Sequence, residues 1–282
     1  MIQVPTTVAT DVRRALDEDI RTGDVTADLI PADADGHASL LTRDPMVIAG
    51  IPYAEEVFRQ LDSRVGIDWL VREGDHIEAN TQLARFTGPA RALLTGERTA
   101  LNFIQMLSAV ASRTRDLAML VEGTPARVFD TRKTIPGLRD AQKYAVKVGG
   151  GDNHRIGLFD QILIKENHIA SAGSITQAIH AARQMHPTIK VQVEVETFVE
   201  LEEAFNAQPD IIMLDNFDIN ALKEAVQQRA NAGLQHIELE ASGGITEENL
   251  SAIGTTGVDR ISLGTLTKDI RAIDLSMRVE LS

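Results

Sequence analysis

The chain has no cysteine among its 282 residues, and it is short of positive charge, with 28 Lys and Arg against 41 Asp and Glu. The lack of cysteine excludes disulfides, iron–sulfur clusters, thiolate zinc sites and cysteine nucleophiles. A net charge of −13 repels nucleic-acid phosphates, so we expect no nucleic-acid partner. No apolar run approaches the roughly 18 residues of a membrane span, and the N-terminus lacks the pattern of a signal peptide. We therefore expect a cytoplasmic protein with no membrane partner.

The composition is that of a globular protein, with 43% hydrophobic residues and a length that allows one large domain or a domain with a smaller companion. In the N-terminal part, short strands are predicted at 38–41, 46–49 and 67–71, with a helix at 54–61. This order favours an α+β sandwich.

A long helical pattern follows over residues 90–122. Gly96 within it predicts a kink or a break between two helices. Arg98 taken alone is most simply a surface arginine paired with Glu97 or with an acid one turn away.

After Gly123 strands alternate with helices, which predicts a parallel sheet, either a barrel or a doubly wound sheet. In a barrel the carboxyl ends of all strands form one mouth, where active sites are built. The predicted strands are 126–130, 161–165, 191–196, 210–215, 236–241 and 260–263, and the predicted helices are 138–148, 175–185, 198–207, 220–232 and 247–253.

The stretch Asp130–Ile169 gathers cations in an otherwise acidic chain and is locally about +2. The four-residue spacing of Arg139, Lys143 and Lys147 is also that of a solvated charged helix, and whether these three face a pocket stays open. The remaining cations occur where the helical pattern breaks, and they favour a site for a small anion.

Two glycine turns late in the chain are candidate phosphate cradles. Ser242-Gly243-Gly244 follows the fifth predicted strand of this region, and Gly264 follows the sixth. Glycines there let backbone N–H groups approach an anion, although the same glycines also make ordinary tight turns. Neither a GxGxxG motif after a strand nor a GxxxxGK loop is present.

Two carboxylates end neighbouring predicted strands, Glu194 and Asp215, with Asn216 directly after the aspartate. Hard carboxylates at a barrel mouth suit Mg²⁺, and an ion pair with lysines of the same mouth is the alternative. On residue chemistry alone the chain is an enzyme acting on anionic small molecules, by phosphoryl or glycosyl transfer.

The motifs as a set resemble the quinolinate phosphoribosyltransferase family. They are EDIRTGDVT, LLTGERTALNF, DTRKT-PGLR, K-YAV, GGG-NHR-GL, D-LIKENHI, VEVE, IIMLDNF, E-SGG and S-G-LT, and they span nearly the whole chain. The resemblance implies that quinolinate reacts with 5-phosphoribosyl 1-pyrophosphate, with Mg²⁺ required. The implied products are nicotinate mononucleotide, pyrophosphate and CO₂, in de novo NAD synthesis.

The resemblance also implies an α/β fold in two domains. An N-terminal α/β sandwich at 1–110, rejoined by 267–282, precedes an incomplete (β/α) barrel at 111–266. The implied working unit is a homodimer, with higher oligomers left open, in which Arg98 enters the neighbouring subunit's site and binds quinolinate.

The remaining roles carry over by motif. Lys133, Glu194 and Asp215 are the implied catalytic residues, and the two acids also match the ribose and Mg²⁺ site. One departure is Gln192, which stands where the family often has an acid, so metal binding would depend on Glu194 and Asp215. The implied substrate-binding residues are Arg98, Thr131, Arg132, Lys133, His154, Arg155, Lys165, Glu194, Asp215, Ser242, Gly243, Gly244 and Gly264.

Three other functions remain open at this level. One is a related enzyme acting on nicotinate or another acceptor, and the cations for two carboxylates argue against it. Another is a phosphate-sensing barrel without catalysis. The third is an isomerase or aldolase that uses Lys165 for a Schiff base.

Overall fold

The structure is a computed structural model that describes residues 2–281. Its helices and strands, in chain order, are α1 (Val8–Ile20), a 3-10 helix (Ala27–Leu29), β1 (Asp35–Thr42), β2 (Met46–Val47), α2 (Ile51–Leu61), β3 (Gly66–Trp69), β4 (His76–Ile77), β5 (Gln82–Pro89), α3 (Ala90–Met119), β6 (Arg127–Phe129), α4 (Arg139–Val148), β7 (Ile162–Ile164), α5 (Glu166–Ala172), α6 (Ile175–Met185), β8 (Val191–Val195), α7 (Phe198–Ala207), β9 (Ile211–Asp215), α8 (Ile219–Asn231), β10 (Glu238–Ser242), α9 (Glu247–Gly254), β11 (Arg260–Ser262), α10 (Thr265–Lys268) and β12 (Leu275–Leu281).

The chain forms two compact units, each built from separate stretches of sequence. Within the described residues the first contains 2–115, 134–150 and 265–281, and the second contains 116–133 and 151–264. The stretch 134–150 therefore belongs to the first unit, although the sequence analysis assigned it to the barrel domain. The domain bounds 1–110 and 111–266 stay a prediction.

The first unit contains an antiparallel sheet in the order β12-β1-β5-β3. Along β1 buried and less buried residues alternate, as expected for a sheet with one covered face. Phe58 of α2 packs on that sheet through Phe86 of β5, with ring centroids 5.2 Å apart. Strands β5 and β12 were not predicted from the pattern. Arg85 interrupts the apolar run of β5, and the Gly88-Pro89 end of β5 reads as a turn.

Helix α3 is continuous over 30 residues, so the predicted break between two helices at Gly96 is wrong, and the alternative of a kink stays a prediction. Gly96 instead permits close contact with α2. A Cβ atom at position 96 would lie 2.6 Å from Phe58 Cε1 and 2.9 Å from Leu61 Cδ1. The glycine is therefore explained by the packing of α2 against α3.

The second unit is a six-stranded parallel sheet in the order β6-β11-β10-β9-β8-β7. From β11 to β7 this is the reverse of the order along the chain, and β6 pairs with the distant β11, so that β6 and β7 are the two edges of the sheet. On its other side β6 carries only an isolated bridge between Phe129 and Asp152 among the described residues. The α/β fold, a small sheet domain followed by a parallel sheet with helices, is as predicted.

The helices of the second unit begin at polar caps that directly follow strands or turns. Ser174, Thr197 and Asp218 accept hydrogen bonds from backbone N–H groups in the first turns of α6, α7 and α8. The bounds of α6 and α7 are those predicted from periodicity. Because these turns are short and capped, the polar residues at the strand ends are held on a rigid scaffold, as residues of binding and catalytic sites commonly are.

Within residues 2–281, no helix combines the length and the apolar content that a membrane crossing requires.

Candidate active site

The candidate active site lies at the carboxyl edge of the parallel sheet. Because the six strands are parallel, the residues at their carboxyl ends share this edge. The predicted site residues of the second unit that occur there are Thr131, Arg132, Lys133, Lys165, Glu194, Asp215, Ser242, Gly243, Gly244 and Gly264.

One side of the edge is acidic. Carboxylate oxygens of Glu194, Glu196 and Asp215 all lie within 4.8 Å of one another, and Lys165 forms an ion pair with Glu194. The two alternatives considered for these carboxylates, metal ligation and a lysine ion pair, are therefore compatible. Glu196 was not among the predicted ligands, although its alternation with Glu194 along the strand was visible in the sequence. Three converging carboxylates fit Mg²⁺, which takes oxygen ligands.

The other side is cationic. Burial lowers the pKa of Arg155, and the nearby charge of Arg132 lowers it further, while Asp160 opposes the shift. The Nε of Arg132 is buried and has no hydrogen-bond partner among the described residues. Two guanidinium groups cannot neutralise each other, so a bound anion would stabilise both.

Arg155 is held by a loop that is anchored on a buried aspartate. Asp130 Oδ1 accepts a hydrogen bond from the backbone N–H of His154 at 2.8 Å, and Oδ2 accepts one from the Asn153 side chain at 2.6 Å. The sequence suggested Asp130 only as the end of a strand. Its two oxygens fix the loop that carries Arg155.

His154 is only 6% exposed and faces the interior of the second unit. Its Nδ1 accepts a hydrogen bond from the backbone N–H of Arg155 at 2.8 Å, and its Nε2 lies 3.5 Å from Glu240 Oε1. The predicted contact of His154 with quinolinate stays a prediction. In this structure its imidazole supports the backbone of the neighbouring arginine.

Glu240 is fully buried, and desolvation raises its pKa although Arg260, with Nε at 2.9 Å, acts in the opposite direction. Gln192 donates to Glu240 at 3.1 Å and accepts from Gln161 at 2.6 Å. Gln192, which stands where the family often has an acid, therefore belongs to a buried polar network with Gln161 and Glu240. This network was not predicted, because strand alternation does not identify which buried residues meet.

The turn after β10 is shaped by its neighbour after β9. Gly243 has φ +84°, and a Cβ there would lie 2.2 Å from Oδ1 of Asn216. A cavity of about 460 Å³ is bounded by this turn and by the residues that follow β9. Its lining residues are Asn216, Phe217, Asp218, Ile219, Asn220, Gly243, Gly244, Asn249 and Ile253.

Gly264 lies against the side chain of Lys133. A Cβ at position 264 would be 2.9 Å from Lys133 Cδ and 3.6 Å from Thr131 Oγ1. The loops after β6 and β11 are thus in contact, and any larger residue at 264 would displace the lysine.

The remaining predicted cations belong to the first unit. Arg98 is an exposed residue of α3, and it lowers the pKa of Glu97, although burial raises that pKa by more. Arg139, Lys143 and Lys147 lie on α4, as the spacing predicted, with Lys143 buried at 1% exposure. Whether these three serve a site stays open.

Comparison with known proteins identifies the family of this chain. The family model for the N-terminal domain of quinolinate phosphoribosyl transferase matches residues 24–108, and the model for its C-terminal domain matches residues 110–278. The chain belongs to the quinolinate phosphoribosyltransferase family. It is therefore an enzyme of NAD biosynthesis that transfers a phosphoribosyl group.

Individual relatives of this family match along their full length. A nicotinate-nucleotide pyrophosphorylase (carboxylating) of Mycobacterium leprae (strain TN) is 41% identical over 273 residues, which are 94% of this chain and 95% of the relative. The solved nicotinate-nucleotide pyrophosphorylase of Francisella tularensis is 46% identical, with a TM-score of 0.94 over 99% of this chain and 98% of that one. NadC from Streptococcus pyogenes is 35% identical, with a TM-score of 0.94 over 100% and 99%.

Proposed function

We propose that the chain carries out the family's reaction at the carboxyl edge of its parallel sheet, transferring phosphoribose from 5-phosphoribosyl 1-pyrophosphate to quinolinate with release of pyrophosphate and CO₂. The observation that carries the proposal is the pair Arg132 and Arg155: the Nε of Arg132 is buried with no hydrogen-bond partner among the described residues, and burial, with the nearby charge of Arg132, lowers the pKa of Arg155. Such a pair is suited to a ligand with two negative charges.

Quinolinate supplies those charges as adjacent carboxylates. A guanidinium binds a carboxylate through two parallel N–H bonds, which fits Arg132 and Arg155. Thr131 and Lys165 complete this part of the proposed site, and His154 contributes through the backbone of Arg155. Nicotinate has a single carboxylate and would leave part of this charge unneutralised.

The phosphoribosyl donor takes the remaining groups. We assign the ribose hydroxyls to Glu194 and Asp215, and the 5-phosphate to the turn Ser242-Gly243-Gly244 with Gly264. We assign Lys133, whose side chain lies against Gly264, to the neutralisation of pyrophosphate. Backbone N–H groups exposed by glycines are suited to phosphate oxygens.

Mg²⁺ is the proposed cofactor. Glu194, Glu196 and Asp215 would hold it together with oxygens of the donor, and it would supply positive charge to the departing pyrophosphate. The close carboxylates themselves support a cation here, since their mutual repulsion falls when one binds.

In the reaction, the C–O bond to pyrophosphate breaks at the anomeric carbon while the pyridine nitrogen forms the new C–N bond. Lys133 and Lys165 stabilise the negative charge that develops on the leaving group. Holding both reactants in line contributes much of the acceleration, since effective molarities correspond to about 7–11 kcal/mol. The carboxylate next to the nitrogen then leaves as CO₂, and its electron pair stays on the ring carbon until a proton is taken up.

The proposal includes a homodimer in the cytoplasm, in which the exposed Arg98 of each chain completes the quinolinate site of the other. Higher assembly of such dimers is left open.

Lys133→Ala tests the assignment, with Lys190→Ala as its matched control. Lys190 is an exposed lysine that precedes β8, at the opposite edge of the same sheet. We expect Lys133→Ala to lower kcat/KM by at least about 100-fold, because a preorganised charge at the leaving group is lost, while Lys190→Ala retains wild-type values. The measurement is a coupled assay of CO₂ and nicotinate mononucleotide, with quinolinate and nicotinate as competing acceptors. Near-normal turnover by Lys133→Ala would overturn the residue assignment, and turnover of nicotinate in preference to quinolinate would overturn the acceptor.

A further inference from the structure

Asn216 occupies an unusual backbone conformation at the edge of the proposed site. It directly follows β9 and has φ +56°, in the left-handed region that few residues other than glycine adopt. Its backbone N–H donates to the carbonyl of Ser242 at 2.9 Å. Its side-chain Nδ2 donates to Asp215 Oδ2 at 2.8 Å.

The other side of the same amide faces the turn after β10. With Nδ2 bonded to Asp215, Oδ1 points to Gly243, and a Cβ on Gly243 would lie 2.2 Å from Oδ1 and 2.8 Å from Cγ of Asn216. Gly243 itself has φ +84°. One side chain therefore touches both a carboxylate after β9 and a glycine turn after β10.

We propose that Asn216 is a positioning residue for the phosphoribosyl donor, a role that rests on the function proposed above. Asp215 is assigned to the ribose hydroxyls, and Ser242-Gly243-Gly244 is assigned to the 5-phosphate of the same sugar. Those two groups are joined by a short covalent frame, so their binding partners must keep a constant separation. Asn216 sets that separation through one hydrogen bond to the strand, one to the carboxylate and a packing contact with the glycine.

The left-handed conformation is part of this role. Asparagine tolerates it better than most residues, and it is the conformation that lets the backbone and the side chain of one residue reach Ser242 and Asp215 together. A simpler explanation is that the turn requires asparagine only for its backbone. The two explanations differ for a residue that adopts the left-handed backbone without strain but lacks the amide. Only the positioning role predicts weaker donor binding for such a residue.

Asn216→Gly separates them, because glycine adopts the left-handed conformation without strain and removes the amide. Gln208→Gly is the matched control. Gln208 also has a left-handed backbone, φ +51°, and it follows α7, away from the carboxyl edge. Asn216→Asp serves as a second variant that keeps the size of the side chain and the tolerance of this conformation.

We expect Asn216→Gly to raise the KM for 5-phosphoribosyl 1-pyrophosphate by about 10-fold or more, since small displacements of binding groups are costly to such sites. The KM for quinolinate should stay within about 2-fold of the wild-type value, because the arginines assigned to its two carboxylates, Arg132 and Arg155, are on other loops. The dissociation constant of ribose 5-phosphate, measured by calorimetry without quinolinate, should rise by a similar factor. Gln208→Gly should leave all three values at the wild-type level, and both glycine variants should retain cooperative thermal unfolding.

Asn216→Gly values equal to those of Gln208→Gly would overturn the proposal, and so would an equal rise in both KM values. If Asn216→Gly does not fold, the same comparison with Asn216→Asp decides, because aspartate keeps the size of the side chain but cannot donate the hydrogen bond to Asp215. The binding measurement does not require turnover. A wild-type protein that binds ribose 5-phosphate but forms no nicotinate mononucleotide would therefore overturn the proposed function and leave the role of Asn216 to be judged by binding.

Discussion

Glu73 shows how much a single side chain can do outside the proposed active site. Its carboxylate accepts hydrogen bonds from the backbone N–H of Gly50 at 2.8 Å and of Ile51 at 3.0 Å, and from the hydroxyl of Tyr144 at 2.8 Å. It thereby caps the start of α2 and ties it to α4. The sequence does not reveal this role, because the partners of Glu73 are 22 and more positions away along the chain.

Burial is the main cause that raises the pKa of Glu73, against the effect of its donors. A carboxyl group with a raised pKa in the folded state binds its proton more tightly there than in the unfolded chain. Its contribution to stability is therefore complete below the ordinary value of 4.5 and is lost as the pH rises above it.

We predict that the free energy of unfolding of the wild type, relative to Glu73→Gln, decreases as the pH is raised from about 4 towards 7. Glutamine cannot titrate, so the pH-dependent part of the difference belongs to Glu73. Urea unfolding at a series of pH values measures it. Glu202→Gln, the same substitution at an exposed position, is the matched control. A difference that grows with pH for Glu73→Gln would contradict the prediction.

At the scale of elements, hydrophobic periodicity predicts helices and buried strands well. It does not predict features that depend on a contact with another part of the chain. The alternation after Gly123 predicted the six strands of the second unit, its helices α6, α7, α8 and α9, and helix α4 of the first unit, because apolar residues recur in these segments at the spacing of a strand or of a helix. The contact that requires Gly96 is made by Phe58 and Leu61 of another helix, and no local pattern reports it. The same limit applies to the site, where strand ends predicted Lys165, Glu194 and Asp215 but not the meeting of His154 with Glu240.

Gly96→Ala tests the packing of α2 on α3. Alanine is favoured over glycine in a helix by about 0.5–1 kcal/mol, but overpacking a core contact costs about 1–3 kcal/mol. Because Phe58 is buried and its ring would be 2.6 Å from the new Cβ, we expect overpacking to dominate and the variant to lose about 1 kcal/mol of stability.

Chemical denaturation of Gly96→Ala, of Phe58→Leu and of the double variant measures the coupling between the two positions. The double variant should be more stable than the sum of the single losses predicts, since the smaller side chain makes room for the methyl group. Stabilisation by Gly96→Ala alone would show that the helices separate without cost.

At the scale of the whole molecule, the family resemblance predicted more of the function than residue chemistry alone. Charge, glycine turns and strand ends led to an enzyme for anionic small molecules, and the motifs added the reaction and the fold, which the comparisons confirm. The proposed contribution of Arg98 across a dimer depends on the resemblance, because an exposed arginine on a helix has no signature of its own.

Subunit exchange tests the shared site. Arg98→Ala and Lys133→Ala should each be nearly inactive. In an equimolar mixture after exchange, half of the dimers are mixed, and each mixed dimer has one intact site, so activity should recover to about one quarter of the wild type. A mixture of Arg98→Ala with the Arg98→Ala/Lys133→Ala double variant is the control and should not recover. A mixture no more active than the average of its parents would refute the shared site.

The pairing of β6 with β11 has a consequence for the way this protein is made. Strand β6 is complete once residue 129 has left the ribosome, but its ladder partner begins at Arg260, some 130 residues later. Synthesis at about 5–20 residues per second therefore leaves that strand without its neighbour for several seconds or more. Likewise β1 keeps an open edge until β12 arrives. Nascent chains halted before Arg260 should expose both edges to chaperones, and release of residues 260–281, which contain β11 and β12, should close them together.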